Sequence, residues 1–156
     1  LVCRTRNINS RIKGGIGMNI QQIVLNDLNK IFDEEIIGNN LKNIRFDYGD
    51  GGYEPGNYVY EDNGLYHYVG VGDRGGIEIS KESKNVDEVL YEIYRDITFK
   101  EATKYAMINR EKGKDWRRIL FAKQLEMLRI IGNRFYIKRS NEIQEILKSN
   151  PYNDNI

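Results

Sequence analysis

His67 is the only histidine among the 156 residues. Hydrolytic chemistry would need a nucleophile and an orienting acid built around that one ring. Strand alternation instead sets His67 beside Tyr60 on an aliphatic face, which makes it a hydrogen-bonded core histidine. Cys3, the only cysteine, excludes an internal disulfide and supplies no metal cluster. Metal chemistry would therefore fall to carboxylates. Asp47, Asp50 and Glu54 in a glycine-rich loop suggest calcium, but the twelfth position counted from Asp47 is Tyr58, where a bidentate Glu is required. Gly70-Val71-Gly72-Asp73-Arg74-Gly75 matches the dinucleotide fingerprint. That fingerprint must join a strand to a helix, whereas Ile77-Glu78-Ile79 reads as another strand, so these glycines make a tight turn. The residues point to no enzyme and no cofactor.

One polar set is not explained by solubility. It is Tyr105, Asn109-Arg110, Asp115 and Arg117-Arg118, set in the strongly helical segment 90–128. The spacing of that segment (LY, TF, Ala, Tyr, NR, D-x-RR, F, Q, LL) resembles the immunity protein 63 family of bacterial polymorphic toxin systems. The resemblance runs from about Tyr66 to Leu147. It implies a protein that binds and neutralises the C-terminal domain of a cognate toxin, with no chemistry of its own. Ala106 departs from the family pattern, where an acid is frequent. Two roles are open to the polar set. In the first it is structural: Asp115 caps a helix and one arginine grips a carboxylate as a fork. In the second, Arg110 and Arg118 face the toxin. The structural role is favoured, because capping alone accounts for Asp115.

The elements that position these residues follow from periodicity. Ile20, Ile23, Val24, Leu28, Ile31 and Phe32 recur at helical spacing, which predicts a helix over 19–32, and Gly38-Asn39-Asn40 closes the connection that follows it. Ile44, Phe46 and Tyr48 alternate as a short strand, and 49–56 reads as a loop. Asn63-Gly64 is the preferred two-residue hairpin turn, because both positions need positive φ. It pairs Asp62 with Leu65, Tyr60 with His67 and Tyr58 with Val69. A second hairpin through Gly72–Gly76 pairs Val71 with Ile77 and Val69 with Ile79. One face then carries Tyr58, Tyr60, Leu65, His67, Val69, Val71, Ile77 and Ile79 as core. The other carries Val59, Glu61, Tyr66, Tyr68, Glu78, Ser80 and Glu82 and is expected to be wet. Asn85 or Asp87 caps the next helix, Thr98 a fresh one and Asp115 a third, and a last helix runs from Phe135 to Leu147. The expected fold is α+β: an N-terminal helix, an antiparallel sheet of three to four strands, and a C-terminal bundle of three to four helices packed on the sheet.

Composition bounds the rest. Length and apolar content suit one domain over 18–150 with a tail at 151–156. No apolar run could span a membrane and no signal peptide is present, which favours the cytoplasm. Residues 1–17 hold four basic side chains and no acid, and Lys13-Gly14-Gly15 can be encoded by a purine-rich ribosome-binding site. Met18 is therefore the expected native start, with 1–17 a non-native leader or translated upstream sequence. Residues 18–97 hold 7 basic and 16 acidic side chains, and residues 98–156 hold 13 basic and 7 acidic. An acidic half suits a basic partner such as a nuclease toxin. Tyrosine offers rigid amphipathic contact area, so Glu61, Tyr66, Tyr68, Glu78 and Glu82 form the expected toxin-binding surface. The rival is a nucleic-acid-binding module using Lys100, Lys104, Arg110, Lys112, Lys114, Arg117 and Lys123, which would show a steep salt dependence.

Overall fold

A computed structural model describes residues 19–47 and 54–155. Cys3, the leader, Met18, Tyr48 and Asp50 lie outside them, and so do the expectations placed there. The order of elements is α1 (Ile20–Leu28), α2 (Glu34–Leu41), β1 (Ile44–Arg45), β2 (Gly56–Asp62), β3 (Leu65–Val71), β4 (Ile77–Ser83), α3 (Val86–Ile108), α4 (Arg117–Ile131) and α5 (Asn133–Ser149). These are the expected N-terminal helix, four-stranded sheet and C-terminal helices. The chain forms two compact units, one of residues 19–25 and 38–89, the other of 26–37 and 90–155.

The first unit holds the sheet, in the order β1-β2-β3-β4. The sheet is mixed rather than wholly antiparallel, because β1 runs parallel to β2 through Ile44 and Arg45. The β2–β3 hairpin has the register expected from its turn: Asp62 faces Leu65, Tyr60 faces His67 and Tyr58 faces Val69. Asn63 and Gly64 take φ of 52° and 77°, the left-handed pair that matches the strand twist.

The second hairpin departs from expectation by one residue. Val71 does pair with Ile77, but a bulge between Gly70 and Val71 makes Ile79 face Gly70 and Ser80 face Val69. Glu78 is the extra residue. Because side chains alternate, a one-residue slip moves the rest of β4 to the opposite faces. Ile79 and Lys81 now share a face with Tyr68, while Ser80 and Glu82 share one with Val69 and His67. The sorting of the faces by wetness holds only in part: Tyr58 and Val71, expected in the core, are buried, and Glu78, Ser80 and Glu82, expected on the wet face, are exposed. Val59 and Tyr68, expected on the wet face, are buried, while Ile77 and Ile79, expected in the core, are 68% and 46% exposed. The Lys81 ammonium lies 3.3 Å from Glu88 in the first turn of α3, on the Tyr68 side of the sheet.

The second unit is helical. Three further expectations fail, at α1, α2 and α3. The periodic stretch 19–32 stops at Leu28, and Gly38-Asn39-Asn40 lies inside α2 rather than in a connection. Asp33 caps α2 by accepting the Ile36 N–H at 2.9 Å, and Glu34 and Glu35 sit in its first turn, where the dipole favours acids. Thr98 starts no helix either. Its hydroxyl donates to the Tyr94 carbonyl at 2.6 Å inside the continuous 23-residue α3. Asn85 does cap α3, accepting the Asp87 N–H at 3.0 Å. Ala102, Ala106, Leu120, Phe121, Met127 and Ile143 form one buried cluster between α3, α4 and α5, joined by Trp116, Ile119 and Tyr152.

A polar network crosses that core. The buried Gln124 donates to the Arg95 carbonyl at 3.1 Å and to the Thr98 hydroxyl at 3.3 Å, and accepts from Arg139 Nε at 2.9 Å. Arg139 continues to Glu142 at 3.0 Å, and Glu142 accepts the Tyr91 hydroxyl at 2.6 Å. Burial first and the Glu142 carboxylate second push the Tyr91 hydroxyl well above its ordinary pKa, so it stays a donor. Each member is paired, which is what lets charge sit in a core.

Candidate functional site

The polar set that stood out in the sequence converges on the start of α4. Asp115 is almost fully buried and accepts four kinds of bond. Its Oδ1 takes the Arg117 backbone N–H at 3.0 Å, which caps α4. Arg117 Nε and Nη2 close a fork on the same carboxylate at 3.1 and 2.7 Å. The Asn153 N–H reaches Oδ2 at 2.9 Å. Arg117 also donates to the carbonyls of Asn150 and Pro151 at 3.0 and 2.8 Å. The Arg117 guanidinium, helped by the two backbone donors and opposed by burial, holds the Asp115 carboxyl well below the ordinary carboxylate range.

Arg118 makes a second fork, on Asp154, at 2.8 and 2.6 Å. Asp154 in turn accepts the Asp115 N–H at 3.0 Å. That fork first, and the backbone donor next, hold the Asp154 carboxyl down at about 2. The Tyr152 ring lies beneath both arginines, 4.1 Å from the Arg118 guanidinium and 5.5 Å from that of Arg117. The segment after α5 is thus strapped to the start of α4 by two charge-assisted forks around one aromatic ring.

Sequence reasoning missed Tyr152 and Asp154, which fell in the expected tail. Two adjacent arginines that need acids, and a short polar run holding Tyr and Asp after Pro151, were the available signal. Asn109 follows the last residue of α3 and caps that helix rather than joining the strap. Its side chain donates to the Tyr105 carbonyl at 2.8 Å and closes the last turn. Tyr105 is half exposed, with the Lys123 ammonium 4.8 Å over its ring. Arg110 is exposed and takes no part in the strap. A cleft of about 350 Å³ opens beside the strap, lined by Tyr105, Lys114, Asp115, Arg118, Ile119 and Lys123 among others. Its charges are already paired: Lys114 with Glu111 at 2.9 Å, Lys123 with Glu126 at 3.2 Å and Arg118 with Asp154. Such a site can bind, but it offers no activated nucleophile.

The residues expected to meet a toxin are split by the fold. Glu61 and Tyr66 face one another across the β2–β3 hairpin and are half buried. Tyr68 is buried and offers no surface. Glu78 and Glu82 are exposed on β4. Glu82 points to the opposite face from Tyr66, with its carboxylate 3.6 Å from His67 Nδ1. His67 stacks on Tyr60 at 4.7 Å. Glycine at 70–76 makes a turn closed by the Gly75 N–H on the Gly72 carbonyl at 2.9 Å. Glu54 is engaged by the Arg45 guanidinium. Among the described residues no group of three or more His, Cys, Asp or Glu is placed to hold a metal ion, and no helix is long and apolar enough to cross a membrane. Of the basic residues in the nucleic-acid reading, Lys104, Lys114, Arg117 and Lys123 are each ion-paired to a neighbouring acid. Those acids cancel much of the field that phosphates would need.

Neither a curated protein nor a solved structure matches the chain. A family model does, that of immunity protein 63, over residues 62–145. That span is more than half of the chain; it begins at the β2–β3 turn and takes in Arg117, Arg118 and the Gln124–Arg139–Glu142 network. The chain belongs to the immunity protein 63 family.

Proposed function

We propose that this protein neutralises a cognate bacterial toxin domain by stoichiometric binding, occluding the toxin's active site or its substrate path. The observation that carries the reading is the family match, because an immunity protein has a toxin as its partner. The toxin-facing surface is the acidic sheet. Residues 54–83 hold six acids against Arg74 and Lys81, and Glu78 and Glu82 are exposed on its edge strand. Such a field attracts a basic partner and raises its rate of encounter. Glu61 and Tyr66, at the hairpin end on the face opposite to Glu82, form a second patch of the proposed surface. The strap at Asp115, Arg117 and Arg118 serves stability, since its charges satisfy one another.

The test is charge reversal. Glu78→Lys with Glu82→Lys should slow association with the toxin domain by about tenfold at low salt, and much less at high salt. The melting temperature should stay put, because both side chains are exposed. An unchanged association rate at low salt would refute the surface.

A further inference from the structure

The strand β4 has a neighbour on one side only. It pairs with β3 from Ser83 to Ile77, and among the described residues its other edge meets no strand. An open edge presents a row of free N–H and C=O groups, a template for a strand from another chain. Proteins blunt such edges with proline, with charge, or by covering them. This edge has no proline in seven residues. Its charges are Lys81, drawn aside to Glu88, and the exposed acids Glu78 and Glu82, which admit a basic incoming strand and repel an acidic one. Two β-branched residues stand on it in the open, Ile77 and Ile79, at 68% and 46% exposure.

We infer that the β4 edge is where the toxin docks, by adding one of its own strands to the sheet through main-chain hydrogen bonds. The inference rests on the toxin-binding reading above and gives it a geometry. Backbone pairing supplies affinity in strand addition, and alternate side chains supply specificity. The register fixes what those side chains must be. Ser80 and Glu82 lie on one face and Ile79 and Lys81 on the other. A fitting strand therefore places a basic residue beside Glu82 on the first face and an apolar one beside Ile79 on the second. A second copy of this chain fits less well. Full antiparallel self-pairing about Ser80 sets Glu78 against Glu82 twice, and like charges directly opposed are destabilising.

Backbone amide hydrogen exchange of this chain tests the idea, alone and with the C-terminal domain of its cognate toxin. The expected result is that amides of 77–83 slow by at least about tenfold in the complex, while Ile79→Lys weakens binding by about tenfold or more and leaves the circular dichroism spectrum unchanged. A complex that forms with no slowing over 77–83 overturns the strand addition and leaves the toxin-binding reading intact. Slowing that grows with the concentration of the chain alone makes a second copy the occupant and also overturns it. A domain that does not bind brings down both readings.

Discussion

Replacing the buried Asp115 by alanine removes both a helix cap and the carboxylate of an ion pair at the start of α4. The cap on the Arg117 N–H goes, worth about 1 kcal/mol. The Arg117 guanidinium loses its carboxylate and keeps only the carbonyls of Asn150 and Pro151. Breaking a fully buried pair costs roughly 3–5 kcal/mol, but the Arg117 side chain is 18% exposed, so about 2 kcal/mol is the fitting share. The total is about 3 kcal/mol, which for a chain of this length lowers the melting temperature by roughly 6–12 °C. The effect has a pH signature. The Asp115 carboxyl is held below its unfolded value by the Arg117 fork, so its contribution is complete above about pH 4. It is lost as pH falls through the folded value. Thermal melts of both proteins should show a constant gap from about pH 5 to 8, closing on acidification below about pH 4. A gap under about 1 kcal/mol at neutral pH, or one that widens in acid, would refute the strap as a stabilising device.

Three further substitutions test the scaffold. Gln124→Leu should cost about 2 kcal/mol in urea unfolding, because the Arg139 guanidinium loses a buried acceptor; equal or greater stability would show that the network holds nothing together. Gly64→Ala and Gly38→Ala should move in opposite directions. The first puts a side chain at φ 77° and costs about 1 kcal/mol, while the second sits in α2 with open space around it and gains roughly 0.5–1 kcal/mol. Melts of the two variants that shift the same way would contradict the backbone account.

What could be read from the sequence was whatever one or two residues decide locally. Asn63-Gly64 dictates its turn by backbone sterics, and the register of both flanking strands follows from it. Asp115 followed by helix-forming residues marks a helix start in the same way. The β4 register was hidden because an extra residue at Glu78 leaves the alternation of letters intact while shifting every later side chain. Helix α2 was hidden behind Gly38-Asn39-Asn40, which look like a break, although Asp33-Glu34-Glu35 is a good helix start. Thr98 resembled a cap because a threonine hydroxyl can bond a backbone N–H or, as here, the carbonyl one turn back. The wetness of the sheet faces could not be read from alternation, because Tyr58 and Val59, neighbours on opposite faces of β2, are both buried. Tyr152 and Asp154 lay 34 or more residues from the arginines they hold, beyond the reach of any local pattern.

The claim on which the function rests is stoichiometric neutralisation without turnover. Titrating this chain into a fixed amount of the cognate toxin domain, while following the toxin's activity, measures it directly. Activity should fall in a straight line and vanish at one chain per toxin. Loss of all activity at a small fraction of that ratio, or activity that persists at saturation, would contradict it.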